Sequence, residues 1–540
     1  MESHRCFQAL ASPAILYRIQ QSVPASADVR PPNGLSDRSS PFTILALPSL
    51  LTWLGYQWLL PKPLPGIPHN PITSIWGDIP GIIKAAKEDK ISLVDFLSNM
   101  GKKHGAIYQV LFRNKIAVII SDRKEMQRIL VQEKVTDQHS RVNQTFATVI
   151  PNSQIALPAN EKWKRHRRLT ALSMSRRYLE RMSVRVAMGA SDLMKLWDEK
   201  LGTVGSCAFE AGIDIQLATM LNPPQKKDGI ALIPRSEVPP LYNAVNAMMK
   251  SMHGASRAAF PSVYAVVSCY ASPSWRKQYN LISSFLNDAI IDAREQENIT
   301  KEKGAALATD ADCVLDMIIQ REAREGAEKF EKDEILDELM IAGQDTTASA
   351  LRWLVKYLAT DPQIQRRLHE EVCSVFNRDG DATGPLDFEL LDDSDRVPVL
   401  EAVVAETLRH AGIGSLIARE LLQDEVALGR LIPKDESEWG PDANEWRPTR
   451  WLRPDGTFNR LAGPSFPFGV GHRACFGQRL ALPDHRFYSL NTSSLQWRAP
   501  SSSSQYLMKL ALGRRSKLLQ SSQSYAIYLW RDGNLCRIAR

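Results

Sequence analysis

The chain has 540 residues, 44% of them hydrophobic and 24% charged, so it can bury a large core in two to four domains. Its formal charge of +7 is modest, and no aromatic platform or known motif indicates nucleic-acid binding, so no nucleic-acid partner is expected. The cysteines are odd in number and lack C-x-x-C spacing, which argues against a disulfide or zinc framework and favours a reducing compartment; they lie at positions 6, 207, 269, 313, 373, 475 and 536.

A stretch of nineteen uncharged residues, 42–60, follows a polar leader at residues 1–41. About 20 apolar residues span a bilayer, and Trp53, Tyr56 and Trp58 cluster toward one end as interface anchors do, so a transmembrane anchor is predicted. An internal proline and several polar residues leave a buried core helix as the alternative. The long leader and the lack of a small-residue cleavage site favour an anchor over a removed signal peptide. Arginines before the stretch do not fix its orientation.

Four prolines in residues 61–70 predict a semi-rigid hinge between this segment and the rest of the chain. Beyond the hinge the hydrophobic patterns are helix-rich and indicate a mainly α protein with small β-sheets, in the α+β class. The predicted elements are helices at 93–103, 177–197 and 281–296, a short hairpin at 106–120 that turns at Arg113 and Asn114, and an N-cap with a first helical turn at Asp361 and Pro362.

Residues 164–168 are all basic and directly follow Trp163. A solvated helix face is the simplest explanation of such a run. The alternative is functional, because a guanidinium group such as that of Arg167 matches a carboxylate geometrically. The other cations would then face outward, where they could dock an acidic protein partner.

Apolar residues recur at helical spacing around Ala342, which predicts a mostly buried helix. Gly343 interrupts it at a cost of about 1 kcal/mol relative to Ala, which suggests that something flat approaches the backbone. The Thr346 hydroxyl could bond the Ala342 carbonyl and open a groove with room for water. Asp345 and Thr346 would then be an acid–alcohol pair for proton delivery. A cap or a solvated Asp-Thr-Thr is the plain alternative.

Glu406 and Arg409 lie at positions i and i+3 of another predicted helix. An ion pair at this spacing adds about 0.2–0.5 kcal/mol to helix stability. Taken alone, the pair is expected at the surface.

The segment from Phe468 to Gly477 sets Cys475 in a loop with glycines at 469, 471 and 477 and with Arg473 two residues before the cysteine. Glycines let backbone N–H groups approach a sulfur and let the chain turn where a Cβ would clash. For a single cysteine, burial as a small hydrophobe is the simplest explanation. A thiolate iron ligand also requires such a loop, and thiolate ligation of haem favours O–O cleavage, so the loop suggests oxygen chemistry.

Five segments together resemble, in family order, the motifs of the cytochrome P-450 monooxygenases. They are Trp163-x-x-x-Arg167, Ala342-Gly-x-Asp-Thr-Thr347, Glu406-x-x-Arg409, Pro448-Thr-Arg-Trp451 and Phe468-x-x-Gly-x-Arg-x-Cys475-x-Gly477. The fourth matches loosely, because Thr449 stands where the family has an acidic residue. The resemblance implies the P-450 fold, with a haem-thiolate catalytic domain at residues 71–486 and a variable lid over the substrate at 221–275.

The resemblance also implies a role for each motif residue toward haem b. Cys475 would be the axial thiolate ligand. The residues implied to bind the cofactor are Trp163, Arg167, Arg419, Phe468, Arg473 and Gly477; those implied to deliver protons are Asp345 and Thr346; and those implied to form a buried structural network are Glu406, Arg409 and Arg450.

Such an enzyme inserts one oxygen atom from O2 into a hydrophobic small molecule and takes electrons from NADPH through a flavoprotein reductase. The microsomal members are anchored in the endoplasmic reticulum by a single span with a cytosolic catalytic domain, so the same localisation is expected. One alternative is a thiolate-haem isomerase or dehydratase that acts on a peroxide, against which the Asp345–Thr346 pair counts. The other is a non-catalytic, truncated relic.

Two departures from the family pattern support the relic alternative. After Lys434 the family continues with a strand, but residues 435–439 lead directly toward a Trp-rich segment, so one core strand is predicted to be missing. After Asp484 the family ends in a hairpin that lines the substrate pocket. Here residues 487–540 form a Ser/Arg-rich tail with the composition of a linker, so that hairpin is predicted to be missing as well.

Overall fold

The computed structural model divides the chain into two compact units, Met1–Leu59 and Leu60–Arg540. In the first unit the described part is a single helix, α1, at Pro41–Leu59. All other described elements belong to the second unit. The structure describes residues 41–113, 115–133, 136–203, 240–258, 260–302, 313–323, 329–339, 344–376, 388–413, 416–421, 442, 445–463, 465–493 and 526–531.

Helix α1 covers the uncharged stretch for which the sequence predicts a transmembrane anchor. Among the described residues, no helix is both long enough and apolar enough to cross a membrane. The transmembrane part of the prediction is therefore not supported. The physical reason lies in composition, because Pro48, Thr52 and Gln57 interrupt the apolar residues of α1.

The second unit is mainly helical, as the sequence predicts. Its helices up to residue 257 are α2 (Ile79–Lys84), α3 (Leu93–His104), α4 (Arg123–Gln127), α5 (Ser140–Ala147), α6 (Glu161–Thr170), α7 (Arg176–Thr203) and α8 (Pro240–Arg257). The later ones are α9 (Pro261–Tyr264), α10 (Pro273–Glu302), α11 (Val314–Glu322), α12 (Lys332–Leu339), α13 (Gln344–Thr360), α14 (Pro362–Phe376), α15 (Phe388–Asp392), α16 (Pro398–Ala411) and α17 (Gln478–Thr492). Short π-helical segments lie at Ala85–Asp89, Arg128–Glu133 and Ala265–Tyr270, and 3₁₀ turns at Ala171–Met174 and Pro448–Trp451.

One five-stranded sheet accompanies these helices. Its strands are β1 (Ile107–Phe112), β2 (Lys115–Ile120), β3 (Thr136–Gln138), β4 (Leu416–Leu421) and β5 (Ala526–Arg531), in the spatial order β1-β2-β5-β4-β3. Strands β1 and β2 form the predicted hairpin, and the turn places Arg113 at a φ of 58°. Strand β5 runs antiparallel to β2 and parallel to β4.

Strand β5 changes the expectation for the tail. The sequence predicts a linker from residue 487 onward, but helix α17 continues to Thr492 and residues 526–531 occupy an interior position in the sheet. The reason is local composition, because Ile527 to Trp530 are β-branched, aromatic or leucine residues within a serine-rich tail. The predicted loss of a strand after Lys434 falls on residues outside those the structure describes, as do residues 221–239 of the predicted lid.

The largest cluster of buried apolar side chains lies among α7, α13, α14, α16 and α17. Trp197 of α7, Leu354 of α13 and Phe487 of α17 are each at most 1% exposed within it. Burying such large side chains contributes about 1.5–3 kcal/mol each. Phe468 packs against the same cluster, so the cysteine loop rests directly on the helical core.

A second cluster places helix α12 beside α6. Ile335 and Leu336 of α12 pack with Leu169 of α6 and with Phe330. The ring of Phe330 also meets the buried His166 edge-on, with 4.7 Å between the ring centroids. This packing brings the carboxylates of α12 next to the basic residues of α6.

Candidate active site

The cysteine loop is a tight turn whose glycines have different roles. Gly469 and Gly471 have positive φ values of 68° and 78°, a region that strains other residues. At Gly471 a Cβ would also collide with the carbonyl oxygen of Leu130. The loop closes through a 2.8 Å hydrogen bond from the Cys475 N–H to the Phe468 carbonyl oxygen.

The Cys475 thiol is exposed, although much of the surrounding loop is not. Partial desolvation raises the pKa of this thiol, while the backbone N–H groups of Gly477 and Gln478 and the charge of Arg167 oppose the rise. Gly477 is the N-cap of helix α17, and a Cβ there would meet nothing within 4 Å. The thiol therefore has stabilising N–H donors, and the neighbouring Gly477 leaves open space where a side chain would lie.

Arg167 reaches the cysteine loop from helix α6, whose N-cap Asn160 accepts the Trp163 N–H. Its guanidinium donates to the carbonyl oxygens of His472 at 3.4 Å and Ala474 at 3.3 Å. The guanidinium carbon also lies 5.4 Å from the centre of the Trp163 ring. Desolvation lowers the pKa of Arg167, with the charge of Arg473 adding to it. These carbonyl acceptors are neutral and the hydrogen bonds to them are long, so the Arg167 charge can still bind an anion.

Arg473 already has a carboxylate partner. Its Nε donates to Asp137 Oδ1 at 2.7 Å, and the pair is almost fully buried. Its guanidinium also donates to the Leu157 carbonyl at 2.9 Å and lies 4.5 Å from the centre of the Trp163 ring. Trp163 thus contacts two of the three arginines that the resemblance assigns to haem, Arg167 and Arg473.

Arg419 projects from strand β4, where it pairs in register with Gln138 of β3. It is 6% exposed, and its NH1 donates to the Ala418 carbonyl at 3.2 Å. No carboxylate within the described ranges forms an ion pair with it. Burial and the neighbouring charge of Arg473 together lower its pKa to about 10, while Asp137 acts in the opposite direction.

This donor set fits a haem group. An exposed thiol with N–H support suits an iron ligand, and open space beside Gly477 leaves room for a flat group. Arg167 and Arg419 form no ion pair with a described carboxylate, so their guanidinium groups suit the two propionates. The residues that could hold haem are therefore Trp163, Arg167, Arg419, Phe468, Arg473, Cys475 and Gly477.

The predicted proton-delivery residues lie at the start of helix α13. Thr346 is exposed and Thr347 is 7% exposed. The backbone of Asp345 is helical, and its side chain lies outside what the structure describes. Ala342 and Gly343, and with them the predicted groove, also fall outside the described ranges.

The second motif pair is buried rather than exposed at the surface. Glu406 is 0% and Arg409 is 1% exposed, and two hydrogen bonds of 2.7 and 2.8 Å join them. Arg450 donates to the same carboxylate at 2.9 Å, as does the indole N–H of Trp451 at 2.9 Å. These donors overcome desolvation, so the pKa of Glu406 is lowered. The structure thus brings the three residues of the implied network together.

Several residues at the site carry no sequence signal. Asp137 accepts a hydrogen bond from Arg473. Gln154 accepts one from Arg167 and donates its backbone N–H to Glu338. Asp137 and Arg473 are 336 positions apart, and Gln154 and Glu338 are 184 apart, and no periodicity or motif records such pairs. In the sequence His166 is only one member of the basic run at residues 164–168, whereas the structure shows that its side chain is fully buried.

The sequence and the fold of the chain are similar to those of known proteins. The family model described as "Cytochrome P450" matches residues 75–487. Over 512 residues the chain is 27% identical to the "Cytochrome P450 monooxygenase GME11363" of Pestalotiopsis microspora, covering 79% of this chain and 88% of that protein. It is 25% identical to the "Cytochrome P450 monooxygenase TRI13" of Fusarium sporotrichioides, covering 81% and 91%. The crystal structure of a cytochrome P450 (CYP102L1) superposes with a TM-score of 0.60 at 18% identity, covering 80% of this chain and 93% of that one.

Proposed function

The chain belongs to the cytochrome P450 family, and from that premise we propose that it inserts one oxygen atom from O2 into a hydrophobic small molecule. It is an oxidoreductase whose cofactor is haem with a cysteine thiolate as axial ligand. When bound, this group supplies an electron-rich iron that favours O–O cleavage. The observation that carries the proposal is the exposed Cys475 thiol beside Arg167, an arginine without a described carboxylate partner.

Cys475 is the ligand in this proposal. A thiol must lose its proton to ligate a metal, and the raised pKa means that the free protein holds that proton at neutral pH. The N–H groups of Gly477 and Gln478, together with Arg167, favour the thiolate once the proton leaves. Ligation and proton release are therefore coupled.

The arginines bind and orient the carboxylates of haem. Arg167 and Arg419 supply charge directly, while Arg473 shares its charge between Asp137 and the ligand. The Trp163 ring holds both Arg167 and Arg473 in place through contacts on its face. Phe468 anchors the loop to the core.

Asp345 and Thr346 are the proton-handling residues in this proposal. The Asp345 carboxyl would hold a proton and the Thr346 hydroxyl would relay it, so that the pair could supply the protons that oxygen chemistry consumes. The exposed position of Thr346 at the start of α13 is compatible with that role. The Glu406, Arg409 and Arg450 network supports the fold beneath the cysteine loop and takes no part in the chemistry.

Electrons come from NADPH through a flavoprotein reductase. A relative in Gibberella moniliformis, 26% identical over 72% of this chain, is named a "Bifunctional cytochrome P450/NADPH--P450 reductase", and this chain covers 35% of it. Lys164, which pairs with Glu161 at 2.7 Å, and Arg168 are exposed on helix α6, where an acidic partner could dock. Arg165 of the same run is less exposed and pairs with Glu334.

Localisation at the endoplasmic reticulum, with the catalytic domain in the cytosol, is a separate proposal that rests on the resemblance to microsomal family members. It is tested by fractionating cells that express the chain with a tag and by extracting the membrane fraction with carbonate. Recovery of the chain in the cytosolic fraction would contradict it.

The proposed reaction is tested with 18O2. The purified holoenzyme, mixed with NADPH and a flavoprotein reductase, should place one labelled oxygen atom in a hydrophobic product. Omission of NADPH or of the reductase should abolish the label, and Cys475→Ala should do the same. Turnover of a hydroperoxide without external electrons, with no labelled product, would instead indicate an isomerase or dehydratase.

A further inference from the structure

Glu338, near the end of helix α12, is 9% exposed and lies between α6 and the loop that contains Gln154. Its Oε1 accepts the Gln154 backbone N–H at 2.7 Å and lies 2.6 Å from Nδ1 of the fully buried His166. Its Oε2 accepts the Gln154 side-chain amide N–H at 3.1 Å. One carboxylate thus binds two segments that are remote from it in the chain.

Gln154 connects this carboxylate to the haem-binding arginines. Because its amide nitrogen donates to Glu338, its Oε1 is directed away and accepts from Arg167 NH1 at 3.4 Å. Its backbone carbonyl lies 3.5 Å from Arg473 NH1. A chain of contacts therefore runs from Glu338 through Gln154 to Arg167.

A purely structural role for Glu338 is the simplest alternative. Buried carboxylates are costly unless donors surround them, and here two N–H groups of Gln154 and the ring of His166 provide that compensation. If Glu338 only stabilised the fold, its contacts with the Gln154 backbone N–H and with His166 would be sufficient. The bond from the Gln154 side-chain amide N–H to Glu338 Oε2 has a further effect, because it fixes which end of the amide faces Arg167.

We propose that Glu338 is a positioning residue of the haem site, which acts through Gln154 to hold the Arg167 guanidinium ready for a haem carboxylate. This inference rests on the proposed function, in which Arg167 binds that carboxylate. An arginine side chain loses much rotamer freedom when it binds an anion. Holding it beforehand reduces that loss and slows release of the ligand.

The test measures the rate at which haem transfers from the purified holoprotein to an excess of apomyoglobin. Glu338→Gln should accelerate transfer about tenfold, as expected for a weakened charge-assisted hydrogen-bond chain. Gln154→Ala should give a similar acceleration while it leaves the bonds from Glu338 to the Gln154 backbone and to His166 intact. Asp333→Asn, an exposed carboxylate-to-amide change on the same helix, is the matched control and should change nothing.

A double-mutant cycle separates positioning from structural support. Arg167→Ala alone should accelerate haem transfer, and adding Glu338→Gln to it should add little, because both changes break one chain of contacts. If Glu338→Gln does not fold, the cycle is carried out with Gln154→Ala.

Three results would overturn the inference. If Arg167→Ala accelerates transfer and Glu338→Gln does not, Glu338 is not a positioning residue while the proposed role of Arg167 stands. Independent, additive effects of the two changes show that Glu338 acts only on the fold. An Arg167→Ala variant with unchanged transfer removes the role of Arg167 and that of Glu338 together.

Discussion

Two groups of arginines in this protein differ in where their counter-charge lies. Arg409 and Arg450 both bond the Glu406 carboxylate at 2.7–2.9 Å. Arg167 and Arg419 donate to neutral oxygens at 3.2–3.4 Å, and the described residues offer them no carboxylate ion pair. The first group is complete within the chain, and the second is arranged for a ligand that brings its own carboxylates.

Arg473 is intermediate between the two groups. It is as buried as the network arginines and pairs with Asp137, yet its neighbours are Trp163 and Arg167 of the candidate site. Burial alone therefore does not identify a structural arginine. The partner of the guanidinium distinguishes structural support from ligand binding.

Loss of the Glu406 charge should have the largest effect. Glu406→Gln leaves Arg409 and Arg450 buried without a counter-charge, which should cost about 3–5 kcal/mol of unfolding free energy. Urea denaturation of the purified protein measures this loss. Glu161→Gln, at an exposed pair with Lys164, is the matched control and should leave the midpoint unchanged. Equal midpoints for both variants would remove the distinction between the two groups.

The pKa of Asp337, a buried residue of helix α12, is shifted in the opposite direction to that of Glu406. Desolvation raises the pKa of Asp337 from 3.8 to about 6, so the folded state holds this proton more tightly than the unfolded state. Its contribution to stability is then fully present below about pH 4 and is lost as pH rises to about 6, by up to about 3 kcal/mol. Asp337→Asn should flatten the unfolding free energy between these pH values. An unchanged slope in urea titrations would contradict the assignment.

Strand β5, near the C-terminal end of the chain, pairs with the strand that contains Arg419, so a substitution in β5 tests this sheet. In strand β5, Tyr528 faces Ile119 of β2 and Ala418 of β4. Tyr528→Pro removes a ladder donor from an interior strand and should cost about 1–3 kcal/mol in urea denaturation. Tyr528→Thr keeps the N–H and a strand-forming side chain, so it is the control. A proline variant as stable as the threonine variant would show that β5 does not occupy this position in solution.

Replacement of Arg419 should have the smallest effect on stability, in contrast to replacement of the network residue Arg409. Arg419→Leu should leave the haem-free protein as stable as before, because replacing a buried charge without a carboxylate partner by an apolar side chain is close to neutral. Haem transfer from the same variant should be about tenfold faster, since a charge-assisted hydrogen bond is lost. Arg409→Leu serves as the opposite case and should destabilise the haem-free protein strongly. A strongly destabilised Arg419→Leu protein would place Arg419 in the structural group.

Much of the helical fold and the position of the cysteine loop could be predicted from the sequence. Helical periodicity located α7, α10 and α13, and glycine spacing indicated the turn at Gly471, where the structure shows a positive φ. The motif order associated Glu406 with Arg450, and the structure joins them by a 2.9 Å bond. These features depend on local geometry or on motifs with fixed chemistry, so a single sequence carries them.

Other features depend on contacts that a single sequence does not record. Glu338 and Gln154 are 184 positions apart, and Arg473 and Asp137 are 336 positions apart. Strand β5 has a short apolar pattern that periodicity cannot distinguish from other buried segments, and its sheet partners are remote. The prediction of a transmembrane anchor at residues 42–60 is not supported, because absence of charge is a weaker criterion than hydropathy along the whole helix.

The central claim is that Cys475 binds haem through its thiolate, and the carbon monoxide spectrum of the reduced protein tests it most directly. The native protein should show the red-shifted Soret band of a thiolate-ligated haem, and Cys373→Ala, which changes another free cysteine, should keep it. Cys475→Ala should lose the shifted band. A well-folded native protein with an absent or unshifted band, or a Cys475→Ala variant that retains the shift, would contradict the account.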